Sequence, residues 1–195
     1  NYQAYREQIG RILNLKKTKF VFNKKWLAKM NFAEVIKLAS GFTVGQMMER
    51  DMFQERLKKN SPIYLHEFLY PLMQGYDSVK LGVEAEIGGN DQTFNMLMGR
   101  TMAKRLGREK FVITVKLLTD PTGKKMGKTE GNMVTLADNP NEMYGKVMSW
   151  SDTMIMSGFE ICTALPLTDL AQSCQQNPRD AKMALAKELV RIYHG

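Results

Sequence analysis

Lys125-Met126-Gly127-Lys128-Thr129 sets two ammonium groups three residues apart around a glycine, with a hydroxyl beside the second. Such a loop suits a polyphosphate, because lysine is a compact charge on a flexible stem that can follow a phosphate as it moves. A solvated basic loop has the same composition, and the GxxxxGK[ST] spacing of a P-loop occurs nowhere in the chain. A second cluster is Gly88-Gly89-Asn90-Asp91-Gln92. Paired glycines permit positive φ and close backbone approach, and a helix starting there would offer free N–H groups to an anion. The alternative is an ordinary strand-to-helix turn capped by Asp91. Third, Tyr70, Gln74 and Asp77 stand at i, i+4 and i+7, which places them on one helical face. Their neighbours Phe68, Leu69, Leu72 and Met73 are apolar. The face can therefore hydrogen-bond an ammonium and a phenol, or it is the wet side of a helix.

The elements that must position these groups follow from periodicity. Tyr2, Tyr5, Ile9, Ile12 and Leu13 predict a helix over 2–15, and Phe20-Val21-Phe22 is strand-like. Asn23 is a candidate cap for a helix from Lys24. Helical spacing continues from Phe32 to Leu38, with Ser40-Gly41 as the stop. Thr43 and Gln46 form a candidate capping box, opening a helix whose Val44, Met47, Met48, Met52 and Leu57 share a face. Residues 65–81 read as a helix with Pro71 early in it or kinking it. A strand at Ala85-Glu86-Ile87, a helix from Asn90 or Asp91 to Leu106, and a strand from Phe111 to Leu117 complete a βαβ pattern. Beyond Asp138 the pattern is helical only, over roughly 140–150, 152–164, 167–174 and 178–194. Loops at the carboxyl ends of parallel strands are where ligands bind in open α/β sheets, and the glycine cluster is such a loop.

Composition narrows the classes. The chain has 195 residues, 44% of them hydrophobic, enough for one sizeable core. No apolar run is long enough to span a bilayer. Two cysteines and two histidines leave no zinc-site spacing and no disulfide framework. Two cysteines fit a reducing cytoplasm. The net charge of +8 suits a polyanionic partner, nucleic acid being the common one, although many basic surfaces are merely solvated. The first residues, Asn1-Tyr2-Gln3-Ala4-Tyr5, have no methionine and no signal-peptide shape. With only two or three strands visible, the expectation is a piece of a larger α/β domain.

Together the three clusters resemble, in order and spacing, the catalytic domain of bacterial-type tyrosyl-tRNA synthetases, class I enzymes. Lys125-Met126-Gly127-Lys128-Thr129 is similar to that family's KMSKS loop. Gly88-Gly89-Asn90-Asp91-Gln92 is similar to its GG-x-DQ segment, and Tyr70-Pro71-Leu72-Met73-Gln74-Gly75-Tyr76-Asp77 to its Y-x-x-x-Q-x-Y-D helix. The stretch from Phe42 to Asp51 resembles its connective region, and Pro178 to Gly195 the helix near the end of its catalytic domain. The likeness spans nearly the whole chain.

The resemblance implies a fold: a partial Rossmann-like parallel sheet with helical cover over 1–137, including a connective or dimer region at about 23–70, then a helical part over 138–195. It implies ATP-dependent activation of tyrosine to tyrosyl-adenylate and transfer to tRNA(Tyr), in the cytoplasm. ATP would arrive with Mg2+, without a tightly held protein-ligated metal. By position, Tyr70 and Gln74 would hold the substrate ammonium, Asp77 would accept from its phenol, and Gln92 would line the pocket. Gly88, Gly89 and Asp91 would meet the adenylate, along with Lys128. Lys125, Lys128 and Thr129 would be the catalytic groups, stabilising departing pyrophosphate. A homodimer through the connective region is expected. Gly127 stands where many members carry Ser. The family's HIGH signature is absent from these residues, and the resemblance places it upstream of Asn1, with a tRNA-binding domain after Gly195. This stretch by itself is therefore expected to be an incomplete, inactive site. Two alternatives are tryptophanyl-tRNA synthetase and a non-catalytic RNA-binding or dimerisation module derived from such an enzyme.

Overall fold

The computed structural model describes residues 2–123, 126, 133–168, 170, 174 and 176–195. In chain order the helices are α1 (Tyr2–Ile9), α2 (Lys24–Leu27), α3 (Phe32–Ala39), α4 (Val44–Met48), α5 (Asp51–Lys58), α6 (Leu69–Leu81) and α7 (Thr93–Arg105), then α8 (Pro140–Met148), α9 (Ile155–Cys162) and α10 (Pro178–His194). The strands are β1 (Ala85–Gly89) and β2 (Phe111–Val115). They divide between two compact units. One is the continuous stretch Val21–Lys116; the other combines Asn1–Phe20 with Leu117–Gly195.

In the continuous unit β1 and β2 pair in parallel, Ala85 opposite Phe111 and Gly89 opposite Val115. The α7 crossover between them makes this the expected βαβ arrangement. Alternation along the strands sends Glu86 and Gly88 to one face and Ala85 and Ile87 to the other. Helices α6 and α7 pack on the first face. Their backbones approach closely because Gly75 and Gly99 lie at the crossing: a Cβ on Gly75 would stand 3.0 Å from Gly99 N, and one on Gly99 2.9 Å from Ser78 Cβ. On the other face Ile87, Phe111, Ile113 and Val115 are exposed.

The core beside the sheet is built on methionine. Met47, Leu72, Met98 and Met102 are buried together, flanked by Leu38, Phe42, Phe68, Tyr76 and Phe94. The unbranched thioether fills irregular gaps between short helices. Two of those helices start with complete capping boxes, Asn31 with Glu34 and Thr43 with Gln46.

Three local expectations fail. The predicted helix from 43 to 57 is two helices: Arg50 is extended, at ψ 125°, and Gln54 Nε2 donates to the Met48 carbonyl at 2.6 Å, closing α4. Met47 is buried, but Val44 and Leu57 are exposed, so the stripe is not one face. Phe20-Val21-Phe22 forms no strand; Phe20 instead meets Tyr2 edge to face, with centroids 5.7 Å apart. Helix α1 ends at Ile9, although the apolar spacing runs to Leu13.

The second unit packs α8, α9 and α10 around Met143, Val147, Trp150, Ile155, Phe159 and Leu185. Asn139 and Pro140 start α8 with a capping box to Glu142, and Asn177 and Pro178 start α10. Gly158 sits where a Cβ would lie 2.6 Å from Leu185 Cδ2. The helix expected over 167–174 falls partly outside the described residues.

Candidate functional site

Helix α6 exists because one of its sides, Leu72, Gly75 and Ser78 among it, is buried. Pro71 fits its first turn, where its missing N–H costs nothing. A 3-10 turn over Leu65–Phe68 leads in, and Gly82, at φ 64°, ends it. Burial of that side turns the row Tyr70, Gln74, Asp77 away from α7.

Asp77 is the best-held member. Its Oδ1 accepts from Trp26 Nε1 at 2.6 Å and its Oδ2 from Asn23 Nδ2 at 3.0 Å. Both donors come from the short segment at α2, 51 and 54 residues away in sequence. Asn23 therefore is not the helix cap that its position suggests; its side chain makes no cap hydrogen bond. An ionised carboxylate offers about four lone-pair sites, so two remain for another donor while Asn23 and Trp26 fix its plane. Sequence reasoning missed both residues.

Gln74 is half-buried one turn earlier. Tyr70 is 55% exposed and lies under the Arg50 guanidinium, 5.8 Å from its ring centre. It lines an open cavity of about 510 Å³ together with Arg50, His66, Glu67 and Met73. In that cavity Glu67 takes a hydrogen bond from the Tyr64 N–H and two from Arg56, which hold its carboxyl below the usual range. Tyr70 and Asp77 thus share a face of α6 but have different surroundings.

The glycine cluster ends β1. Asn90–Gln92 form a 3-10 turn, and α7 follows at Thr93. The glycines do not serve positive φ. Gly89 has φ −62°, and neither Gly88 nor Gly89 is among the left-handed glycines. Gly88 serves close packing: a Cβ would crowd Met96 Sδ at 3.1 Å and lie 3.4 Å from Gln92 Cβ. The first turn of α7 therefore lies directly against the strand end. Gln92 is held by Asn95, whose Nδ2 donates to Oε1 at 3.1 Å. Asn95 is 1% exposed, and its Oδ1 has no protein partner among the described residues. Asp91 is exposed on the same turn.

Both loops carried by α6 and β1 belong to the continuous unit, and a hydrogen bond joins their elements: Ser78 Oγ donates to Glu86 Oε2 at 2.8 Å. The structure thus brings the Tyr-Gln-Asp helix and the glycine turn into one framework. Lys125, Lys128 and Thr129 lie outside the described residues. Within that loop Met126 is described: its N–H donates to the Leu118 carbonyl at 3.2 Å, and its side chain packs on the helical core. Beyond the loop, Asp138 accepts from the Thr135 N–H at 2.9 Å, Thr135 Oγ1 at 2.8 Å and Lys146 Nζ at 2.7 Å. Burial pushes the Asp138 carboxyl up, but the Lys146 and Thr135 bonds outweigh it and leave it below the usual range. Burial raises both thiols, Cys162 and Cys174, which are unsuited to nucleophilic work. No group of three metal-ligating side chains occurs among the described residues, nor does any helix there have the length and apolarity to cross a membrane.

The chain is similar to known proteins over its whole length. A family model described as tRNA synthetases class I (W and Y) matches residues 1–195. The tyrosine–tRNA ligase of Carboxydothermus hydrogenoformans is 48% identical over all of this chain and 49% of its own length. That of Haemophilus influenzae is 46% identical over all of the chain and 50% of its own length. The chain spans about half the length of the curated relatives it matches. Among solved structures, a tyrosyl-tRNA synthetase of Archaeoglobus fulgidus complexed with L-tyrosine superposes with TM-score 0.74 at 21% identity, over 97% of this chain and 70% of that one. The enzyme of Aeropyrum pernix gives 0.76 at 18%, over 97% and 64%. At that identity these two speak for the fold, a Rossmann-like arrangement of sheet and helices.

Proposed function

Since the chain belongs to the class I tRNA synthetases of the tryptophan and tyrosine group, we propose that it supplies the tyrosine-reading and adenylate-reading half of a tyrosine–tRNA ligase. The observation that carries this reading is the Asp77 carboxylate, oriented by Trp26 and Asn23 on a helix bonded to the glycine-turn strand. An acceptor fixed in this way selects a phenol over a bare phenyl ring, because phenylalanine would leave it without its donor. A tryptophan side chain also offers a donor, its indole N–H, on a larger ring; the preference for tyrosine within the group rests on the likeness of the Tyr70, Gln74, Asp77 helix to the tyrosyl enzymes, and the exchange assay decides it.

In the proposed mechanism, the tyrosine carboxylate attacks the α-phosphate of ATP, forming the acyl–phosphate bond as the bond to pyrophosphate breaks. The protein contributes position and electrostatics and no nucleophile of its own. Gln74 and Tyr70 hold the substrate ammonium, and Gln92, steadied by Asn95, lines the pocket. Gly88, Gly89 and Asp91 receive the ribose side of the adenylate, where the tight turn lets backbone come close. Lys125, Lys128 and Thr129 neutralise charge on the departing pyrophosphate. Mg2+ enters as part of the ATP complex, bound by phosphate oxygens. The terminal ribose hydroxyl of tRNA(Tyr) then attacks the tyrosyl carbonyl carbon, the ester forms as the acyl–phosphate bond breaks, and AMP leaves, in the cytoplasm. A homodimer through the connective region fits the exposed apolar side chains there, Phe32, Ile36, Val44 and Leu65 among them.

ATP–pyrophosphate exchange in the natural protein tests the reading. Exchange is expected with tyrosine and not with tryptophan; exchange that follows tryptophan, or no amino acid, overturns it.

A further inference from the structure

Lys110 is an ammonium with no place in the chemistry above, yet it is 4% exposed. Its Nζ lies 3.3 Å from Glu86 Oε2 and 3.4 Å from the Val83 carbonyl oxygen. The same Glu86 oxygen accepts from Ser78 Oγ at 2.8 Å, and Ser78 is itself 4% exposed. Burying an ion pair is costly, and an apolar trio of similar volume would stabilise a fold as well or better. With the Glu86 side chain 22% exposed, stability alone is a weak reason for charge at this spot. Location is a better one. Ser78 directly follows Asp77 on α6; Glu86 lies in β1, two residues before Gly88; Lys110 directly precedes β2. One carboxylate oxygen thus joins the helix that reads the amino acid to the strand that carries the nucleotide turn, and both to the start of the next strand. The Ser78 bond is also directional where the surrounding contacts are not. Gly99 is the α7 residue that meets Ser78 and Glu86, while Met102 Cε and Met96 Sδ lie against Gly75 and Gly88 on either side; methionine packing tolerates sliding, whereas a 2.8 Å hydrogen bond does not.

We propose that Ser78, Glu86 and Lys110 are positioning residues that set the register between the tyrosine-binding helix and the adenylate-binding turn. The inference rests on the tyrosine-activation reading. None of the three touches substrate in this assignment. Each half-site stays intact without them; what they govern is the alignment of one reactant against the other, where a displacement of about 1 Å costs on the order of a hundredfold in rate.

The test uses the natural protein, with rates expressed per tyrosine-binding site counted by equilibrium dialysis. Ser78→Ala is the cleanest variant, because it keeps the Cβ that packs on Gly99 and removes only the link from α6. It is expected to lower kcat of tyrosine-dependent ATP–pyrophosphate exchange by about tenfold while leaving KM for tyrosine and for ATP within about twofold. Lys110→Met is expected to behave likewise, and adding Glu86→Gln to it, which removes the stranded charge and keeps an acceptor for Ser78, is expected to restore most of the rate. A purely structural role would lower the melting temperature and the number of binding sites but leave kcat per site unchanged; that result overturns the inference. Absence of tyrosine-dependent exchange in the wild-type protein overturns the tyrosine-activation reading itself, and the inference with it.

Discussion

Trp26→Phe removes the donor to Asp77 Oδ1 and keeps most of the ring. The lost bond is short, 2.6 Å, and ends on a carboxylate; hydrogen bonds to charged groups contribute about 1.5–3 kcal/mol. Asn23 remains on Oδ2, so the carboxylate keeps one anchor and gains a rotation about it. If about 2 kcal/mol of the phenol's bond is lost through that freedom, kcat/KM for tyrosine falls about 30-fold, at about 1.4 kcal/mol per tenfold. Phenylalanine, which never uses the acceptor, keeps its own kcat/KM, so the tyrosine-to-phenylalanine ratio falls by the same factor. The assay is ATP–pyrophosphate exchange with each amino acid, in the wild type, Trp26→Phe, Asp77→Asn and the double variant. Acting through Asp77 means that Trp26→Phe changes the ratio little once Asp77→Asn is in place. A ratio within threefold of wild type in the single variant, or losses that simply add in the double, would refute the reasoning.

Lys128→Ala is expected to slow adenylate formation far more than it weakens tyrosine binding, in single-turnover kinetics beside equilibrium dialysis; equal losses would remove the loop from its assigned role. Gly75→Ala puts a Cβ 3.0 Å from Gly99 N and 3.1 Å from the Met98 carbonyl carbon, backbone that cannot step aside, so thermal unfolding should show a loss of about 1–3 kcal/mol. Asp138→Asn should destabilise the protein at neutral pH. Because the folded Asp138 carboxyl is held below its usual range, its contribution is present above the ordinary carboxylate pKa and lost as pH falls through the lower folded value. The difference in melting temperature between wild type and variant should therefore shrink in acid, below about pH 4.

Legibility from sequence followed the range of the interaction. The Tyr70, Gln74, Asp77 face was readable because helical periodicity is local, and the Thr43 start was readable because caps act within four residues. The crossover between β1 and β2 followed from the order of elements. Trp26 and Asn23 were not readable: their partner is some fifty residues away, and Asn23 carries a plausible local use as a cap that the folded chain declines. Of the two uses read for the glycine turn, positive φ is not realised and close approach is: a Cβ on Gly88 would crowd Met96 Sδ at 3.1 Å. The helix from 43 to 57 misled because a methionine stripe with helical spacing says nothing of a break; Arg50 and the Gln54 side chain make one. Lys110 read as one more basic residue, since burial of a charge depends on where Glu86 and Ser78 end up.

The division of the chain has a consequence for synthesis. Val21–Lys116 is contiguous, whereas Asn1–Phe20 shares its unit with residues that begin at Leu117. A ribosome adds about 5–20 residues per second, so the roughly 80 residues from Leu117 onward take several seconds more. During that interval the contiguous unit has everything it needs to fold. The opening segment, with Tyr2, Tyr5, Ile12 and Leu13 on it, must wait for its partners. Within this stretch the order of synthesis is thus inverted: residues made before the contiguous unit find their place after it, and a chaperone that guards the nascent chain has its longest work on that earlier segment.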